Sequence, residues 1–120
     1  MAQRQVLALN ETTPQILVPQ SGDTYAMPVD LEISVAGMGL RVKEGTNAKQ
    51  GTAVLVAGTL AVSNTSVTAT SRIFLTSQVD GGTVGFLRVS ARVAATSFTI
   101  TSSSGTDTST VAYEIFESAA

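Results

Sequence analysis

The sequence predicts an all-β fold, an antiparallel β-sandwich of jelly-roll-like type, and three observations carry that expectation. Of 120 residues, 17 are Thr, 14 Val and 5 Ile, and β-branched side chains suit pleated strands better than helices. Apolar and polar residues alternate with period two in segments about 8–12 residues apart, with Gly, Pro, Ser and Asn clusters between them. No segment keeps a helical period over three turns.

In chain order the expected strands are Val6–Leu9, Gln15–Val18, Val29–Ala36, Leu40–Lys43, Ala53–Val62, Ile73–Gln78, Gly85–Val93, Ser97–Thr101 and Val111–Phe116. Pro14 and Pro19 flank the second run, and Pro is poorly tolerated in central strands. Residues 1–27 therefore read as an extended N-terminal arm or edge hairpin, and 28–120 as the sandwich domain. Val79–Thr83 reads as a turn whose glycines permit positive φ. The stretch TSSSGTDTST, residues 101–110, reads as a mobile hairpin loop.

Strand faces carry more information. In Gly85–Val93, Leu87, Val89, Ala91 and Val93 form an expected core face, with Phe86, Arg88, Ser90 and Arg92 opposite. Ala53–Val62, taken as one strand, puts Val54, Val56, Leu60 and Val62 on one side. Its other side, Ala53, Leu55, Ala57 and Ala61, is apolar too. Val111–Phe116 is nearly two-sided as well, with Ala112, Glu114 and Phe116 opposite Val111, Tyr113 and Ile115. A strand apolar on both sides is covered twice or pressed against another chain. A homo-oligomer, a trimer by expectation, is therefore predicted to meet through Ala53, Leu55, Ala57, Ala61, Ala112, Glu114 and Phe116.

Composition excludes much chemistry. There is no His, Cys or Trp, hence no Ser-His-Asp triad, Cys nucleophile, zinc finger or disulfide framework. A net charge of -2 and a pI near 4.9 give no footprint for nucleic acid. Aromatic residues at 5% weaken the case for a stacking platform. No apolar run approaches the roughly 20 residues of a membrane helix, and no targeting signal stands out. The triplets beginning at Asn10 and Asn64 read as turns rather than glycosylation acceptors. Asp30 and Glu32 would lie about 7 Å apart on a strand face, where a solvated face is the simpler reading than a glycosidase pair. A single carboxylate at Asp80 or Asp107 is weak evidence for calcium, which draws several anionic oxygens. The glycines at 37, 39 and 45 lack the Gly-Lys-Ser/Thr ending of a phosphate loop. No enzyme and no cofactor are expected.

Three stretches together resemble a small domain that recurs in structural proteins of tailed bacteriophages. They are LRVKEGTNAKQGTAVLVAGTLAVSNTSVTATSRIFLTSQ, the Gly81-Gly82 pair, and VSARVAATSFTITSSSGTDTSTVAYEIFE. The resemblance implies a small β-sandwich, often trimeric, attached to a virion assembled in the bacterial host cytoplasm. Within it, the short chain and its arm favour a capsid decoration protein or short head fibre. Its partners are then further copies of itself and the major capsid protein or another virion protein, with neither nucleic acid nor membrane. The docking segment would be Val6, Leu7, Leu9, Ile16, Leu17 and Val18, adding strands to a partner sheet. The alternative is a receptor-binding or tail-appendage module presenting the loops at Val79–Thr83 and Thr101–Thr110 to a host-surface glycan.

Overall fold

A computed structural model describes residues 28–119 together with the strand pairs 6–7 and 15–16. The chain divides into two compact units, Met1–Gly39 and Leu40–Ala120. In the first, β1 (Val6–Leu7) pairs antiparallel with β2 (Gln15–Ile16), Val6 opposite Ile16 and Leu7 opposite Gln15. Of the expected docking residues, Leu9, Leu17 and Val18 lie outside the described residues. No strand forms over Val29–Ala36 or Leu40–Lys43. Without that strand, the spacing that would pair Asp30 with Glu32 on one face has no basis.

The second unit is the sandwich. Its strands are β3 (Gln50–Val54), β4 (Thr59–Ser63), β5 (Arg72–Val79), β6 (Leu87–Val93), β7 (Ser97–Ser102) and β8 (Thr110–Phe116). They form two three-stranded antiparallel sheets, β3-β8-β5 and β4-β7-β6. Three strands on three make a smaller sandwich than the eight-stranded jelly roll.

Each sheet turns one face inward. Ala53, Leu55, Val67, Phe98, Ile100, Val111, Tyr113 and Ile115 are buried, and Leu60, Val62, Ile73, Leu75, Leu87 and Val89 pack against them. Phe98 and Tyr113, on the central strands of the two sheets, meet edge to face with centroids 5.0 Å apart. Burying a side chain such as Phe98 or Leu55 contributes about 1.5–3 kcal/mol.

The expected strand Ala53–Val62 is two strands in different sheets. Val56 and Thr59 exchange backbone hydrogen bonds of 3.0 and 3.1 Å, and Ala57 and Gly58 between them have φ of 50° and 79°. Two successive positive φ values define a type I′ turn. A two-residue turn sets Leu55 opposite Leu60, so the inward residues change from odd to even numbers. Ala53 and Leu55 are therefore core, not interface, and it is Val54 and Val56 that face outward, 54% and 66% exposed. A bulge between Val89 and Ala91 shifts β6 in the same way. Leu87 and Val89 point inward as expected, but Ala91 and Val93 beyond the bulge are exposed.

Candidate interaction surface

One end of the sandwich is built on Asp107. Its carboxylate is fully buried and accepts from Ser102 Oγ at 2.6 Å, the Gly85 amide at 3.0 Å and the Ser109 amide at 2.9 Å. These donors, the Ser102 hydroxyl foremost, hold the carboxyl below the usual carboxylate range. The backbone of the stretch around it is tied as well: the Gly58 amide donates to Asp107 O, Ser103 N to Phe86 O and Thr108 N to Gly81 O. The stretch 101–110 is thus pinned against the β3–β4 turn and the β5–β6 loop, not a mobile hairpin. Composition hides this, because a Ser/Thr/Gly run reads as solvent-loving until its hydroxyls find a buried acceptor. The loops Val79–Thr83 and Thr101–Thr110 do come together, bridged at Gly82 and Asp107. With its donors all from protein, Asp107 is a structural hub. No group of three or more metal-ligating side chains occurs among the described residues.

The opposite end is tied by Glu117. Lys49 Nζ donates to Glu117 Oε1 at 2.8 Å and to Ser66 O at 2.6 Å. Thr68 Oγ1 donates to Glu117 Oε2 at 2.8 Å, and Ser71 Oγ donates to Oε1. Lys49 first, then Ser71, pull the Glu117 carboxyl down to about 2. Asn64 is buried beside them. Its Nδ2 donates to Ala48 O at 2.7 Å and its Oδ1 accepts from the Ser66 amide at 2.9 Å. The side chain closes an Asx turn, in agreement with the turn expected at Asn64-Thr65-Ser66.

The outward face of β3-β8-β5 is arranged in register rows. Arg72 lies beside Phe116; Phe74, Glu114 and Gln50 form the next outward row; Thr76, Ala112 and Thr52 the next; Val79, Thr110 and Val54 the last. Phe74 and Phe116 are 60% and 46% exposed, yet their rings touch edge to face at 5.4 Å. Gln50 Nε2 donates to Glu114 Oε1 at 3.0 Å. Arg72, Phe74, Glu114, Phe116 and Glu117 line one cleft, and a second shares Glu114 and Phe116 with Leu40, Val42, Lys49 and Gln50. The other sheet turns out Thr59, Thr101 and Arg88 in one row, Ala61, Thr99 and Ala91 in the next, and Ser63, Ser97 and Val93 in the last. Ser90 Oγ and Thr101 Oγ1 are 2.7 Å apart, and Phe86, just before β6, is 88% exposed.

The seven expected interface residues do not form one surface. Ala112, Glu114 and Phe116 share the outward face of β8, Ala61 faces outward from the other sheet, and Ala57 sits in the turn. Sequence reasoning singled out Phe116 without its neighbour Phe74. The signal was the alternation of RIFLTS, in which Ile73 and Leu75 face inward and leave Phe74 outside.

Both networked carboxylates, Asp107 and Glu117, brace the ends of the sandwich, and the paired exposed rings lie on the outward face of β3-β8-β5. Residues 47–116 match the family described as the K1 capsule-specific polysaccharide lyase, C-terminal domain, and the chain belongs to that family. The match begins at Asn47 and ends at Phe116, so it spans the whole strand series of the sandwich. Comparison with curated proteins gives no match.

Proposed function

We propose that the chain is a non-catalytic tail-appendage module of a phage particle that self-associates and binds a host-surface glycan. The observation that carries this reading is the family match across all six strands of the sandwich. That family takes its name from the C-terminal domain of a lyase directed at a bacterial capsule, which favours the tail-appendage alternative over capsid decoration. The decoration reading leans on the arm, residues 1–27, which lies outside the matched residues.

A binding role also fits the chemistry. Asp107 and Glu117 are engaged in hydrogen-bond networks at the two ends of the sandwich, while the outward faces carry rings, hydroxyls and single charges. Self-association, three copies by expectation, would multiply weak surface contacts into firm attachment.

Labelled protein incubated with capsulated bacteria, with the same cells stripped of surface polysaccharide, and with phage heads stripped of accessory proteins tests the proposal. Adsorption to the capsulated cells alone is the expected result. Rebinding to heads at a fixed copy number, without adsorption to cells, would restore the decoration reading.

A further inference from the structure

The geometry points to the cleft at Phe74 and Phe116, not the loop end, as the place where this module takes a saccharide. The inference rests on the glycan-binding reading above and assigns it a site.

A pyranose ring offers one apolar CH face and a rim of hydroxyls, so its binding sites pair an exposed aromatic face with planar polar side chains. The outward surface of β5 and β8 has both within two adjacent register rows. Phe74 and Phe116 are held edge to face, which gives a stepped apolar platform rather than one flat plate. Around them stand Glu114, an acceptor whose carboxylate already takes one bond from Gln50, and Arg72, a fork of donors beside Phe116. All except Gln50 line the same cleft.

The same surface suits a second copy of the chain less well. A stable protein interface buries about 800 Å² on each partner around a centre depleted of charge. Here charged groups adjoin the rings: Arg72, Glu114 and Glu117 line the same shallow cleft. The next row, Thr76, Ala112 and Thr52, separates the rings from the outward valines, while past Phe116 the apolar surface continues to Leu40 and Val42. The loop end offers one exposed ring, Phe86, which pairs with no second ring among the described residues, and the Asp107 carboxylate there is filled by protein donors.

The test uses the whole chain and three probes: methyl glucopyranoside, N-acetylglucosamine and glucuronic acid, one neutral, one amide-bearing and one acidic. Saturation transfer from protein to sugar CH protons, and amide shifts on titration, report binding. At least one sugar is expected to shift residues 72–76 and 112–117. Phe74→Ala and Phe116→Ala should each weaken it about tenfold, the scale of one lost stacking contact. Thr83→Ala, in the β5–β6 loop, should leave it unchanged. Both rings are exposed, so these variants keep the fold, and circular dichroism checks it. Shifts confined to 79–83 and 103–109 would overturn the site while leaving the glycan reading intact. No binding of any of the three sugars would overturn the site, and only failure to adsorb to capsulated cells would overturn the reading as well. Dissociation of an oligomer by Phe74→Ala would give the face to a second copy and overturn the inference.

Discussion

Ser102 donates a 2.6 Å hydrogen bond to Asp107, five positions further along the chain, and the pair locks the β7–β8 loop against its neighbours. The Asp107 carboxylate only accepts, whereas an amide in its place presents two donors on one side. Asp107→Asn therefore leaves at least one buried donor facing another, at the desolvation cost of an unmade bond. The expected outcome is a clear drop in melting temperature and faster amide exchange at Gly85 and Ser109. Ser102→Ala should fall between this variant and wild type. Unchanged exchange at Gly85 would show that the loop is held by something else.

Acid sensitivity should follow from the same networks. Both Glu117 and Asp107 have folded-state values below their ordinary ones. A depressed carboxylate contributes stability that is complete above its unfolded value and lost as pH falls through the folded one. For Glu117 that window runs from 4.5 down to about 2, and for Asp107 it reaches lower. The denaturation midpoint is expected to be level near neutrality and to fall below the ordinary carboxylate range. Glu117→Gln should flatten the upper part of that decline and leave the lower part. An acid limb identical to wild type in Glu117→Gln would remove Glu117 from this role.

Gly51 and Tyr113 are opposite one another on β3 and β8, and a methyl group on Gly51 would stand 2.4 Å from the Tyr113 hydroxyl oxygen. The ring covers the glycine and fills the space its missing side chain leaves. Gly51→Ala should destabilise by about 1–3 kcal/mol as the ring is forced off its rotamer. Combined with Tyr113→Ala, the glycine substitution should cost much less, because the clash is gone. Additive losses in denaturant melts of the four proteins would contradict this.

Ala57 occupies the first position of the type I′ turn with φ of 50°, a conformation that favours Asn and Gly over Ala. Ala57→Asn should stabilise by about 0.5–1 kcal/mol by relieving backbone strain. Thermal melts would show it, and a lower melting temperature would mean that the alanine methyl makes a contact the turn needs.

What could be read in advance follows the range of the interactions involved. The all-β class and the strands β5 to β8 were legible, because alternation is local and survives folding. The break between β3 and β4 was not. Ala57-Gly58 lacks the Asn-Gly or Asp-Gly signal of such a turn, and the apolar residues on both sides imitate one strand. The bulge in β6 was equally silent, since an extra residue changes face without changing composition. The Phe74–Phe116 contact depends on the β5–β8 register, which alternation within either strand does not contain. Asp107 shows the same limit in part: Ser102 and Ser109 are near it in sequence, but Gly85 reaches it from the β5–β6 loop.

The corrected faces move the expected subunit contact, and this yields the sharpest test of self-association. Ala53 and Val54 are neighbours on β3, one 8% and the other 54% exposed. Ala53→Asp places a carboxylate among Leu55, Val111 and the rest of the core, where an unpaired charge costs roughly 3–5 kcal/mol, so the chain should unfold. Val54→Asp places the same group on the outward row with Thr110 and Val79, where the fold itself loses little. If copies meet at this valine-bearing end, Val54→Asp should lower the mass in light scattering while leaving the melting curve of the monomer intact. A charge buried between subunits opposes association directly, and self-repulsion among like copies adds to it. A wild-type chain that runs as a monomer at every concentration would remove self-association from the proposal and leave the glycan cleft to act singly.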